Sequence, residues 1–205
     1  MIELPERLRQ AGHEVLDLDR AVYAAVHATP TPQIDLALAR ISRAADRSLL
    51  WMGVAAALAV SGRRRRRAAL VGVAAIGATS ATVNLVVKPG PKRGRPSIEG
   101  SVRTHGVRMP GSHSWPSGHT ASAFAFSTAV GAGVPELDTA LRLAATAVAY
   151  SRVHTGVHYP GDVMAGALIG AGIGSLTHHV ARRIKPSPVD EGGAGGGRGG
   201  PGEIE

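Results

Sequence analysis

Apolar residues in this chain come in long runs and not in alternation. Two uncharged stretches, Ser48 to Ser61 and Ala68 to Val87, are separated by five consecutive arginines, Arg63 to Arg67. Further apolar runs follow at Ala121 to Val134, Leu141 to Tyr150 and Val163 to Leu176, broken by Pro135-Glu136-Leu137-Asp138 and by Pro160-Gly161. Runs without period-two alternation predict helices, and a membrane span needs about 20 such residues. The second stretch has that length by itself, while the first is short unless it borrows its flanks. Upstream, Gln33 to Arg47 sets Ile34, Leu36, Leu38 and Ile41 against Asp35, Arg40, Arg43 and Arg47 at roughly helical spacing. That predicts an amphipathic helix lying against a membrane surface or a neighbouring helix.

The pattern divides the chain into an amphipathic N-terminal helical segment (1–47), a domain of apolar helices (48–180) and a Gly-rich tail (186–205) whose composition predicts disorder. The expected fold is all-α: a polytopic membrane helical bundle of five or six spans. No secretory signal pattern precedes it. Five arginines between two apolar runs fit a cytoplasmic anchor under the positive-inside rule, although a nucleic-acid patch would use the same residues. With that anchor inside, the loops around Lys88 and Arg152 fall together on the extracytoplasmic face.

The formal charge is +8 over 205 residues, which favours an anionic partner. Aromatics make up only 3%, so base-stacking platforms and a nucleic-acid partner are not expected. There is no cysteine, which excludes disulfides and thiolate metal sites.

Three polar clusters interrupt the apolar runs. The first is Lys88-Pro89-Gly90-Pro91-Lys92-Arg93-Gly94-Arg95-Pro96, whose prolines and glycines forbid a helix. The second is Pro116-Ser117-Gly118-His119, directly before an apolar helix. The third is the stretch from Ser151 to Asp162, read as a loop between two helices. There, Asp162 in the first turn of the following helix can orient the His158 imidazole and leave its other nitrogen free. A capping aspartate with an ordinary loop histidine gives the same sequence.

Taken singly, each cluster has such a bland reading: membrane-edge cations, a helix cap, structural histidines. Taken together they fit a phosphate ester. Lys88, Arg95 and Arg152 supply positive charge to phosphoryl oxygens, so the chemistry requires no metal and no cofactor. Ser117 and the Gly118 N–H form an anion cradle at a helix N-terminus. His119 is placed to protonate the leaving oxygen, and His158 to attack phosphorus and form a phosphohistidine. His105, His113, His154, His178 and His179 have no partner at a diagnostic offset and are read as structural.

The order Lys-x6-Arg-Pro, Pro-Ser-Gly-His, Ser-Arg-x5-His-x3-Asp, separated by helical runs, resembles the phosphatidic acid phosphatase type 2 superfamily over about residues 15 to 180. That family includes lipid phosphatases, bacterial undecaprenyl-diphosphate phosphatases and vanadium haloperoxidases. The resemblance implies a membrane phosphatase acting on a lipid or polyprenyl phosphate or diphosphate, in phospholipid or cell-wall lipid-carrier metabolism. It implies His158 as nucleophile, His119 as acid, and Lys88, Arg95, Ser117, Gly118 and Arg152 as phosphate ligands, while the orienting role of Asp162 is read from its offset to His158. The chain is also similar to short actinobacterial members, some of which act on a polyprenyl-phosphoryl phosphopentose. A vanadate-dependent haloperoxidase and a basic, non-enzymatic binding protein are the alternatives.

Overall fold

The computed structural model describes residues 6–87, 89, 93–96, 107, 109 and 111–184. Among these the regular structure is helical throughout. Helices α1 (Glu6–Ala28) and α2 (Pro32–Ala44) lead through a 3₁₀ turn (Asp46–Ser48) into α3 (Leu49–Ala59). Then come α4 (Arg63–Ala81), whose end unwinds into a π turn (Thr82–Val87), α5 (Gly118–Gly133), a second 3₁₀ turn (Pro135–Leu137), α6 (Asp138–His154) and α7 (Pro160–Arg183). Lys88, most of the loop from Ser97 to His113 and the tail from 186 onward lie outside the described residues.

Two boundaries differ from the sequence reading. The arginine run does not separate two helices but forms the first turns of α4. The Ser151 to Asp162 stretch is not all loop, because α6 continues through His154 and carries Arg152 in its last turn. The helix stops where Gly156 takes a positive φ of 75°, a conformation that strains any residue with a Cβ.

α5 is the central helix: Ala121, Ala123, Ala125, Phe126, Ala129 and Val130 are all fully buried. On one side, Phe126 packs against Trp51 of α3 with ring centroids 5.3 Å apart. On another, α7 lies backbone to backbone with α5. A Cβ added at Gly166, Gly170 or Gly174 would stand 2.5, 2.1 or 2.5 Å from the carbonyl oxygens of Ser117, Ala121 and Ala125 respectively. Both sets repeat every four residues, so one face of α7 runs in register along one face of α5, the small-residue packing that lets helices approach closely in lipid.

The opposite end of the bundle is tied by the arginines. Arg64 Nε donates to the Gly133 carbonyl at the end of α5 (3.0 Å), and Arg67 Nη2 donates to the Ala181 carbonyl in the last turn of α7 (2.8 Å). Cations at helix C-termini satisfy orphan carbonyls and complement the dipole.

The bundle is apolar outside and small or polar inside. Leu70, Leu143, Met164, Leu168 and Leu176 are exposed, while Thr120, Ser127 and Thr128 are buried. Residues 63–87 and 160–183 form helices long and apolar enough to cross a membrane, and only 28% and 17% of their apolar windows are buried, unlike core helices of a water-soluble domain. Helices α3, α5 and α6, with 11, 16 and 17 residues, are shorter than a full span.

If the α5–α7 register depends on absent side chains, Gly170→Ala should cost on the order of 1–3 kcal/mol through overpacking. Gly172→Ala, where a Cβ meets nothing within 4 Å, should be neutral or slightly stabilising. Thermal unfolding of both variants in detergent checks this, and equal effects at the two positions would contradict the packing described.

Candidate active site

The three clusters meet at the end of the bundle away from the arginine run, where α5 and α7 begin and α6 ends. After α6, the chain folds back so that the N–H groups of Val157 and His158 both donate to the Arg152 carbonyl, at 3.1 and 3.2 Å. Pro160 then opens α7, and Asp162, in its first turn, accepts a hydrogen bond from the Tyr159 N–H on Oδ2 (2.9 Å). The α5–α7 register continues to this point, because the Ser117 N–H donates to the Asp162 carbonyl (2.9 Å). The second cluster is thereby bonded to the third.

His158 is almost fully buried. Its Nε2 lies 3.2 Å from Arg95 Nη1. A guanidinium only donates, so Nε2 is the acceptor and the ring proton belongs on Nδ1. Nδ1 faces Asp162 Oδ2 at 3.6 Å, an ion-pair distance longer than a hydrogen bond. Burial pushes the His158 pKa down to about 4, helped by the charges of Arg95 and Arg152 and opposed by Asp162. The imidazole is therefore neutral at pH 7, with a lone pair on Nε2.

Arg95 reaches this position by donating to the carbonyls of Ser112 (2.9 Å), Val157 (2.7 Å) and His113 (3.2 Å). Among the described residues only neutral groups hold it, and no carboxylate lies within ion-pair distance of its guanidinium. Arg152 is fully buried, donates to Ser42 Oγ at 2.7 Å, and lies 3.7 Å from Asp46 Oδ1. Its buried Nε has no partner, which leaves a donor for an anionic oxygen. Ser117 caps α5 and accepts from Thr120 Oγ1 (3.0 Å), so its own hydroxyl hydrogen is free to be donated. At Gly118 a Cβ would meet nothing within 4 Å, so its bare backbone borders open space. His119 Nε2 is 2.9 Å from Asp46 Oδ1. Seven of the eight residues singled out in the sequence thus fall in one region, and Lys88 lies outside the described residues. His154, read as structural, is fully buried with Nε2 2.8 Å from Asp35 Oδ1. Among the described residues no group of His, Asp and Glu could hold a metal ion.

Sequence reasoning missed the N-terminal partners. Asp46 contacts both His119 and Arg152, and Ser42 holds Arg152. Asp19 and Asp162 share Arg93, which also stacks 4.1 Å over the Tyr159 ring, and Asp19 Oδ1 takes the Gly161 N–H. Their trace in the sequence is slight: Asp19, Asp35 and Asp46 lie in a segment rich in arginine and apolar residues, and Asp19 is not set apart from the neighbouring Glu14 and Asp17.

The sequence profile of the PAP2 superfamily matches residues 67–186. Among solved structures, the chain is similar to the first transmembrane PAP2 type phosphatidylglycerolphosphate phosphatase from Bacillus subtilis, with a TM-score of 0.66 and 21% identity over 85% of this chain and 89% of that one. It is also similar to Aquifex aeolicus LpxE, with a TM-score of 0.61 and 23% identity over 78% of this chain and 94% of that one. No curated protein matches the chain significantly. The acids at 19, 35 and 46 all precede the matched region.

The buried, neutral His158 makes stability depend on pH. The unfolded residue titrates near 6.5 and the folded one near 4, so between these values the unfolded chain binds more protons. Stability must then fall as pH drops through that window, by on the order of 3 kcal/mol. His158→Gln should lack this component, and melting curves from pH 7 to 4 that run parallel for the two proteins would contradict the assignment.

Proposed function

The chain belongs to the PAP2 superfamily, and from that premise we propose that it is an integral membrane phosphatase that removes the terminal phosphate of a lipid or polyprenyl phosphate or diphosphate. The observation that carries the reading is His158: buried, neutral, its Nε2 lone pair facing Arg95, and backed by Asp162. The exposed apolar faces and the two full-length apolar helices support residence in a membrane. The shorter helices complete a multi-pass bundle of five or six crossings. Placing the arginines on the cytoplasmic side puts the site, at the other end, on the extracytoplasmic face.

The reaction proceeds in two displacements. The substrate's phosphoryl oxygens take the donors of Arg95, Arg152, Lys88, Ser117 and the Gly118 N–H, and Arg95 gives up its bond to Nε2 in doing so. His158 Nε2 then attacks phosphorus as the bond to the leaving oxygen breaks. His119 donates its proton to that oxygen while Asp46 holds the ring. The phosphohistidine is cleaved by a water whose proton passes to His119, which restores both histidines and frees inorganic phosphate. Charge stabilisation comes from guanidinium and ammonium groups, so no metal enters the scheme. The family relationship supports a place in phospholipid or cell-wall lipid-carrier metabolism. A haloperoxidase would use the same cradle for vanadate, and no observation of this site favours it.

Purified protein should release phosphate from a lipid phosphate in the presence of EDTA, and His158→Ala should lower the rate by about a thousandfold or more. Loss of activity on chelation, restored by magnesium, or full activity in His158→Ala, would refute the mechanism. Asp46→Asn should reduce kcat by about tenfold or more with KM unchanged. Asp46→Glu, which keeps the carboxylate, should recover part of the lost kcat. No recovery would reduce Asp46 to a structural part.

A further inference from the structure

A second cavity lies at the arginine end of the bundle, away from the candidate active site, and the proposed reaction uses none of it. It holds about 390 Å³ and is walled by the first turns of α4 and the last turns of α5 and α7. Arg64, Arg67, Ala68 and Val71 recur at three- and four-residue spacing and so share one face of α4. That face changes character along its length, from guanidinium groups at the helix start to small and branched apolar side chains one turn further. α7 makes the same change in reverse, running apolar to Val180 and then into Arg182 and Arg183. In a bilayer, such a switch from apolar to cationic on neighbouring helices marks headgroup depth.

Positive charge is in excess here. Arg64 donates to the Gly133 carbonyl and reaches Glu136 at 3.3 and 3.4 Å, in a pair whose side chains are 61% and 47% exposed and which therefore contributes little. Arg67 uses Nη2 on the Ala181 carbonyl, a neutral acceptor. Arg182, on the cavity wall, has no hydrogen bond or ion pair among the described residues. Asp138, the other acid in the connection from α5 to α6, is taken by Arg142 at 2.8 Å. Three guanidinium groups of the wall thus face one exposed carboxylate among the described residues. The whole run Arg63–Arg67 also occupies the positive end of the α4 dipole, where cations are disfavoured. An external anion relieves both repulsions.

We propose that this cavity binds the headgroup of an anionic membrane phospholipid. Its phosphate oxygens take the free donors of Arg67 and Arg182, and its acyl chains begin against Ala68 and Val71. A small soluble anion would match the arginines and leave the apolar wall bare. Because α4, α5 and α7 all contribute to the wall, the bound lipid bridges the helices whose packing assembles the opposite end. The proposal rests on residence in a membrane and not on the phosphatase reading.

The test is native mass spectrometry of the full-length protein in detergent, titrated with dioleoyl phosphatidylserine or dioleoyl phosphatidylcholine, which share the phosphodiester and the chains but differ in net charge. Wild type should bind one phosphatidylserine about tenfold or more tightly than phosphatidylcholine. Arg67→Gln and Arg182→Gln should each weaken that binding by about fivefold. Arg65→Gln and Arg66→Gln remove the same charge outside the cavity and should leave it unchanged. Arg182→Gln breaks no contact within the described chain and serves if Arg67→Gln loosens the link between α4 and α7. Phosphatidylserine should also raise the melting temperature of wild type more than that of Arg182→Gln. Equal affinity for the two lipids, or equal losses in all four variants, would overturn the site. Displacement of the bound lipid by inorganic phosphate at the lipid's own concentration would overturn the lipid as its occupant. None of these readouts depends on phosphate release, so the site and the phosphatase reading can fail separately.

Discussion

The structure depends on the contact between α5 and α7. Three glycines of α7 lie against three backbone carbonyls of α5, at distances no side chain could share. This fixes the two helices in rotation and in register. Extended one step beyond Gly166, the same register brings Asp162 beside Ser117, where a backbone hydrogen bond joins them. His119 follows Ser117 by two residues, and His158 precedes Asp162 by four. Helix packing thus sets the relation between the two histidines, and a wedge of one methyl group would disturb it.

A second constraint is the cost of burying charge. Arg93 and Arg152 are largely or wholly withdrawn from solvent, and a buried guanidinium needs partners. Arg93 is neutralised by two aspartates and serves to hold Asp162 and α1 together. Arg152 and Arg95 are instead held mainly by neutral oxygens, with no carboxylate at hydrogen-bond distance among the described residues, as the proposed role in binding a phosphoryl group requires. For Arg93 and Arg152 the partners Asp19, Ser42 and Asp46 come from α1, α2 and the turn after α2, whereas Arg95 is held by the loops at 112–113 and 157. The N-terminal segment is therefore a structural wall of the site, although the family profile begins only at residue 67.

Much of this was legible in the sequence. The apolar runs at 121–134, 141–150 and 163–176 correspond to α5, α6 and α7, because long apolar runs bounded by Pro and Gly leave few alternatives. The clusters containing Arg95, His119 and His158 announced themselves by residue type and offset. What escaped was set by distance along the chain. Asp46 and His119 are 73 residues apart, and Ser42 and Arg152 are 110 apart. No periodicity encodes such pairs. The extension of α6 to Arg152 was missed because the eye stops a helix at the first polar run, whereas the chain turns only at Gly156. The π turn at Thr82–Val87 left no local signal.

On the proposed reading, packing of α5 on α7 assembles an anion site from separate polar segments. Calorimetric titration of orthovanadate into purified protein with EDTA present tests it most directly. Wild type should bind one vanadate per chain. Gly166→Ala, which touches no ligand but drives a methyl group into the Ser117 carbonyl, should bind at least tenfold more weakly while retaining its helix content by circular dichroism. Equal affinity in the two proteins, or no binding by folded wild type, would contradict the account.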